Sequence, residues 1–236
     1  STRLVPNAAA PAVAPIDETY YGGYHTVVAQ YAHLTAVATA HPDLATVVDY
    51  GDSYLKTTNA ATWYDLTAIC ITHLQAGDCA LNPNAAKPRF VLMAQIHARE
   101  IVTGDVAWRF IDYLAGGYGS VPAVTNLLNS TEVWVIPTVN PDGGDVVQQG
   151  GNSPYLQRKN RHGTGCANPP TGSNQLGVGL RVAIGSGPPL GSQPLFVTRS
   201  SVSHGASIIP LSHILGYLAQ YVPARLRACD PAGVIL

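Results

Sequence analysis

The segment Arg89-Phe90-Val91-Leu92-Met93-Ala94-Gln95-Ile96-His97-Ala98-Arg99-Glu100 constrains the fold of this chain more than any other. An apolar run of strand type gives out at His97, and a carboxylate follows three residues later at Glu100. The stretch from Ile101 to Leu114 that comes next is amphipathic and reads as a helix. A strand so continuously apolar suits a place buried on both faces of a sheet. Where it meets the helix, an imidazole nitrogen and a carboxylate oxygen can face one point in space. Two ligands of a zinc ion can be supplied in that way from one short piece of chain.

The segments around it alternate in the same manner. Tyr24 to Ala40 places Val27, Val28, Tyr31, Leu34 and Val37 at three- and four-residue steps, an amphipathic helix. His41-Pro42-Asp43 stops it, because proline disfavours helical geometry in the residue before it. Ala45 to Tyr54 reads as a strand running into a turn, and Trp63 to Leu74 as a second strand rich in β-formers. Lys87 to Ile96 is the next strand. Val102 to Leu114 is helical with Val106, Phe110 and Tyr113 on one face, and Gly116-Gly117 ends it. Glu132 to Val139 is another buried strand, stopped by Asn140-Pro141-Asp142-Gly143, a turn in which Gly143 is expected to take a positive φ. Strands interleaved with helices predict an α/β fold, here a mixed, mostly parallel sheet flanked by helices. Residues 1–17, rich in Ala and Pro, read as a flexible leader.

Composition removes several function classes. Apolar residues make up 46% of the 236, enough to bury one sizeable core. With 13 basic against 14 acidic residues there is no electrostatic footprint for nucleic acid or anionic lipid. No apolar run reaches the roughly 18 residues that suggest a membrane span. Ser1 to Pro15 lacks the basic start and apolar core of a signal peptide. Cys70 and Cys79 can close a small disulfide loop, which fits an extracellular setting; reduced, buried cysteines at 70, 79, 166 and 229 are the equal alternative.

Taken alone, a His and a Glu three apart at a helix start are more often a capping pair than metal ligands. Position favours the metal, since open α/β sheets place their sites at the carboxyl ends of strands. His97 lies at such an end, and so does Asn140-Pro141-Asp142-Gly143. Arg158-Lys159-Asn160-Arg161 gathers polar and cationic groups in a chain with only 11% charged residues. It is either a solvated loop or an oxyanion clamp, for which the planar guanidinium is suited.

As a set these motifs resemble the zinc metallocarboxypeptidase family, the pancreatic carboxypeptidase A-like peptidases. The likeness covers Ala40-His41-Pro42-Asp43-Leu44, Tyr50-Gly51-Asp52-Ser53-Tyr54, Ile96-His97-Ala98-Arg99-Glu100, Pro137 to Gly143 and Gln157 to Arg161. It implies that residues 18–178 are the N-terminal part of such a catalytic domain. It implies that His97 and Glu100 are the first two ligands of a Zn2+ ion. Arg99 would contact substrate, and Arg158 would polarise the scissile carbonyl and stabilise the oxyanion. The implied activity is removal of C-terminal amino acids from peptides and proteins by a monomeric, extracellular enzyme, with no nucleic-acid or membrane partner.

The resemblance then stops. Asn174-Gln175-Leu176-Gly177-Val178 leads up to the family's Asn/Arg carboxylate-binding segment, yet Gly179-Leu180-Arg181-Val182 follows. The third ligand, a His in a short His-Ser-Tyr segment, has no counterpart; His204 and His213 come too early. The general-base Glu is unmatched, because no Glu follows Glu132 and no Lys follows Lys159. Residues 179–236 are therefore expected to be an atypical tail, either a low-charge secreted surface or a stretch out of the original frame. On that expectation catalysis is impaired, and the alternatives are a non-catalytic peptide-binding derivative or a related zinc amidase or deacylase.

Overall fold

The computed structural model describes residues 18–61, 63–82 and 85–161, together with the backbone of 195–196. A two-stranded antiparallel hairpin, β1 (Thr19–Tyr20) and β2 (Tyr24–His25), precedes helix α1 (Val27–Ala40). Then follow β3 (Ala45–Asp52), α2 (Tyr54–Thr58), β4 (Asp65–Ile71), β5 (Arg89–Met93), α3 (Ile101–Gly117) and α4 (Pro122–Ser130). The order closes with β6 (Glu132–Ile136), α5 (Pro141–Gln148) and β7 (Leu195–Phe196). The main sheet has the order β3-β4-β6-β5-β7. It is mixed, as expected: β3 pairs with β4 and β4 with β6 antiparallel, whereas β5 pairs parallel with both β6 and β7.

The core follows from side-chain alternation along the strands. Strand β6 is buried at every position, with Val133 and Val135 on one face and Trp134 and Ile136 on the other. The first face is covered by Leu34 and Val37 of α1, Ile111 and Leu114 of α3, and Val124 and Leu128 of α4. The second face joins Trp134 to Tyr50, Leu66, Ala68, Cys70, Cys79 and Val139. A disulfide links Cys70 to Cys79 with Cα atoms 5.8 Å apart, so of the two alternatives for this pair the oxidised one holds. Cys166 and Cys229 lie outside the described residues.

Three expectations are corrected. The face of α3 that meets the sheet is Gly104, Ala107, Ile111, Leu114 and Ala115; Val106 and Tyr113 are 58% and 54% exposed. Both sides of that helix carry apolar groups, and the buried side is the one on which Gly104 lets Gln30 and Gln95 come close. Asn140 to Gly143 is the start of α5 instead of a tight turn: the Asn140 Oδ1 accepts from the Gly143 amide at 3.1 Å, with Pro141 in the first turn, where its missing N–H costs nothing. Gly143 has no positive φ; a Cβ there would stand 2.7 Å from the Asn140 side chain and 2.8 Å from the Ala98 Cβ. The turn expected at the end of β3 is α2, capped by the Ser53 hydroxyl accepting from the Lys56 amide. The leader 1–17, Asn174 to Val178, and the tail 179–236 apart from the backbone of 195–196, with its Arg181, His204 and His213, lie outside the described residues.

Candidate active site

Strand β5 ends at Met93, but its pairing runs one residue further. The Ala94 amide donates to the Ile136 carbonyl at 2.9 Å, and the Val139 amide to the Ala94 carbonyl at 3.0 Å. The chain then turns sharply at Gln95, which takes a φ of +47°. The Glu100 amide donates to the His97 carbonyl at 2.9 Å, so His97 and Glu100 share one turn. Glu100 is the N-cap residue of α3, yet its side chain makes no capping hydrogen bond and is exposed. The capping explanation of this His–Glu pair therefore fails.

The segment after α5 is a folded loop docked on this turn. The Ala98 amide donates to the Arg158 carbonyl at 3.3 Å, and the Arg158 Nη2 reaches the His97 Nε2 at 2.7 Å. A guanidinium only donates, so the imidazole Nε2 is the acceptor. Gln157 anchors the loop from inside: it is fully buried, and its Nε2 donates to the Lys159 carbonyl at 2.8 Å. The structure thus sets Arg158 against His97, with Glu100 on the same turn and both Arg99 and Glu100 exposed.

Residues 30–179 match the family model described as zinc carboxypeptidase, which is more than half of the chain. The chain belongs to the zinc carboxypeptidase family. It is 32% identical over 123 residues to the zinc carboxypeptidase of Saccharothrix mutabilis subsp. capreolus, covering 52% of this chain and 25% of that protein. It is 30% identical over 146 residues to carboxypeptidase A2 of Mus musculus, covering 62% and 31%. The crystal structure of thrombin activatable fibrinolysis inhibitor superposes with a TM-score of 0.50 at 22% identity, over 73% of this chain and 37% of that one, a likeness of fold. The chain spans between a quarter and a third of the length of these curated relatives.

A zinc carboxypeptidase requires a metal site, and the donors among the described residues suit one in part. Imidazole and carboxylate are both zinc ligands, and a catalytic zinc takes three protein ligands with one position open. Among the described residues no cluster of three or more His, Cys, Asp or Glu groups forms, so His97 and Glu100 stand as two members of a set. Both are presented on a fixed turn at a strand end. Their donor chemistry suits a zinc ion.

Behind the turn lies an acidic layer that sequence reasoning missed. The Asp142 Oδ2 accepts from the Leu55 amide at 2.9 Å, and the Asp145 Oδ1 accepts from the Tyr64 hydroxyl at 2.9 Å. Burial pushes both carboxyls above the usual 3.8, against the pull of those hydrogen bonds and of the Arg161 charge. Burial likewise pushes the Tyr64 hydroxyl well up. The signal for the layer was present in Asp142 and Asp145, three apart on one helix face, but it could not be read while Asn140 to Gly143 passed for a turn.

Proposed function

We propose that the protein to which this domain belongs is a zinc-dependent metallocarboxypeptidase that removes C-terminal amino acids from peptides and proteins. The observation that supports this is the Arg158 guanidinium 2.7 Å from the His97 imidazole at the carboxyl end of β5, with Glu100 on the same turn. On this reading His97 and Glu100 hold the metal. Zinc, when bound, lowers the pKa of a water from 15.7 to about 7 and polarises the scissile carbonyl. Arg158, on a loop fixed by Gln157, supplies a cation where the oxyanion charge develops; such preorganised donors are worth roughly 10²–10³ in rate. Exposed Arg99 meets the substrate. The third ligand and the general base come from outside the described residues.

The reading extends to setting and partners: an extracellular, monomeric protein acting on peptide C-termini. The Cys70–Cys79 disulfide supports the extracellular part, since such bonds persist in oxidising compartments. No described helix is long and apolar enough to cross a membrane. A second reading, a non-catalytic peptide-binding derivative, is favoured by the presence of only two candidate ligands among the described residues.

Elemental analysis of the protein to which this domain belongs and of its His97→Ala variant, with release of C-terminal residues from N-blocked dipeptides, tests the proposal. Stoichiometric zinc that the substitution removes, together with hydrolysis, is expected. Equal zinc in both proteins would sink the ligand assignment, and peptide affinity without zinc or hydrolysis would establish the second reading.

A further inference from the structure

Gln95 stands out for two costs carried at one position. It is a non-glycine residue in the left-handed region, with φ +47°, which costs about 1–3 kcal/mol. Its carboxamide is also buried, 2% exposed, at the end of an otherwise apolar strand, where Leu or Met would fill the space without desolvation. Every polar group of the residue that faces the turn is used. The Nε2 donates to the Ala98 carbonyl at 3.0 Å, so the side chain curls over the Ala98–Arg99 peptide inside the turn. Its backbone amide donates to the Thr103 Oγ1 at 2.8 Å, and that hydroxyl donates to the Glu100 carbonyl at 2.7 Å.

The far side of the carboxamide is tied to the fold. The Gln95 Oε1 accepts from the Gln30 Nε2 of α1 at 3.3 Å, and the Thr138 hydroxyl, 3.0 Å away just beyond β6, is placed to donate to it. The Thr138 hydroxyl equally reaches the Gln30 Oε1, so its one proton serves one acceptor at a time. Helix α3 comes close to this network because Gly104 has no side chain: a Cβ there would lie 2.9 Å from the Gln30 Nε2 and 3.0 Å from the Gln95 Oε1. One residue thus links α1 and the end of β6 to the Ala98 carbonyl inside the His97–Glu100 turn and, through Thr103, to the Glu100 carbonyl at its end.

We propose that Gln95 is a positioning residue of the metal site, its bent backbone and buried carboxamide together fixing the turn that presents His97 and Glu100. This rests on the reading of those two residues as zinc ligands. Outer partners of this kind typically change metal affinity by roughly 10–100-fold when removed. A buried amide serving stability alone would lower the unfolding free energy without moving the turn or the metal.

The test uses the full chain. Gln95→Leu keeps the volume and removes the carboxamide; Thr103→Val removes the relay to Glu100 while sparing Gln95; Thr103→Ser restores it. Zinc affinity is measured by competition with a chromophoric chelator, amide hydrogen exchange over residues 96–100 on chelator-stripped protein, and global stability by urea. Gln95→Leu and Thr103→Val are expected to weaken zinc by roughly 10–100-fold and to speed exchange at 96–100, with Thr103→Ser close to wild type. Zinc affinity and local exchange indistinguishable from wild type in both variants, whatever happens to stability, overturn the proposal. Should Gln95→Leu fail to fold, the Thr103 pair decides. If His97→Ala binds zinc as the wild type does, the ligand reading falls, and the exchange measurement still decides whether Gln95 holds the turn.

Discussion

Glu132 is fully buried in the central strand, and replacing it by Gln should be among the most damaging isosteric changes in the molecule. Its carboxylate accepts from the Arg89 Nε at 2.7 Å, the Trp134 Nε1 at 2.9 Å and the Cys79 amide at 3.0 Å. A carboxamide has one acceptor oxygen. Turned towards Arg89 and Trp134, it sets its NH2 against the Cys79 amide; turned the other way, it opposes two donors. The better orientation loses one hydrogen bond and the countercharge of Arg89, whose side chain is 4% exposed. Breaking a buried pair on one side costs about 3–5 kcal/mol. A domain has roughly 5–15 kcal/mol in all, so the loss is about a fifth or more of it. Urea denaturation followed by circular dichroism measures the difference. Arg89→Met in the Glu132→Gln background should recover part of it, because the orphaned cation goes. The Ala80 and Asn82 carbonyls lose the Arg89 donors in that variant, so recovery is incomplete. A cost below about 1 kcal/mol, the worth of a surface pair, would refute the account.

Three further outcomes are expected. Replacing Cys70 and Cys79 by Ala opens a loop with a sequence separation of 9, a loss of about 2.5–3 kcal/mol on the chain-entropy relation, read as a drop in urea midpoint; an unchanged midpoint counts against it. Asp142 and Asp145 have folded values above 3.8, so as pH rises from 3.8 the native state keeps protons that the unfolded chain has released, and their contribution to stability falls through that window. Asp142→Asn should remove part of this slope, and a wild-type-minus-variant difference flat from pH 3.8 to neutrality would contradict it. Arg158→Met should tighten zinc by about tenfold, or roughly 1.4 kcal/mol, because the guanidinium uses the His97 Nε2 lone pair and its charge opposes a dication; chelator competition checks this, and weaker binding reverses the sign.

What could be read from the sequence was what depends on periodicity. The change from an apolar run to a helical pattern at His97 located the strand end and the helix start, and with them His97 and Glu100 on one turn. Residues whose role depends on what faces them could not be read this way. Val106 and Tyr113 repeat at helical spacing as well as Ile111 and Leu114 do, and only the close approach that Gly104 allows to Gln30 and Gln95 decides between the faces. Asn140 to Gly143 carries turn residues that are equally a helix N-terminus, the Asn as cap and the Pro in the first turn. Gln95 gave a local signal, a polar side chain interrupting an apolar run, but its partners Gln30 and Thr138 lie 65 and 43 residues away.

The mixed sheet raises a difficulty for the rule that sites gather at strand carboxyl ends, since that rule is framed for parallel sheets. Direction resolves it. Strand β3 is antiparallel to β4, and β4 to β6, so two reversals set β3 running the same way as β6 and β5. The carboxyl ends of β3, β5 and β6 therefore share one edge, and the segments that follow them meet there: the Leu55 amide after β3 on Asp142 after β6, and the Gly143 backbone against Ala98 after β5. The reversed strand contributes its beginning to the same edge, for Tyr64, just before β4, donates to Asp145. Both the parallel and the antiparallel halves of the sheet thus support the turn that carries His97 and Glu100.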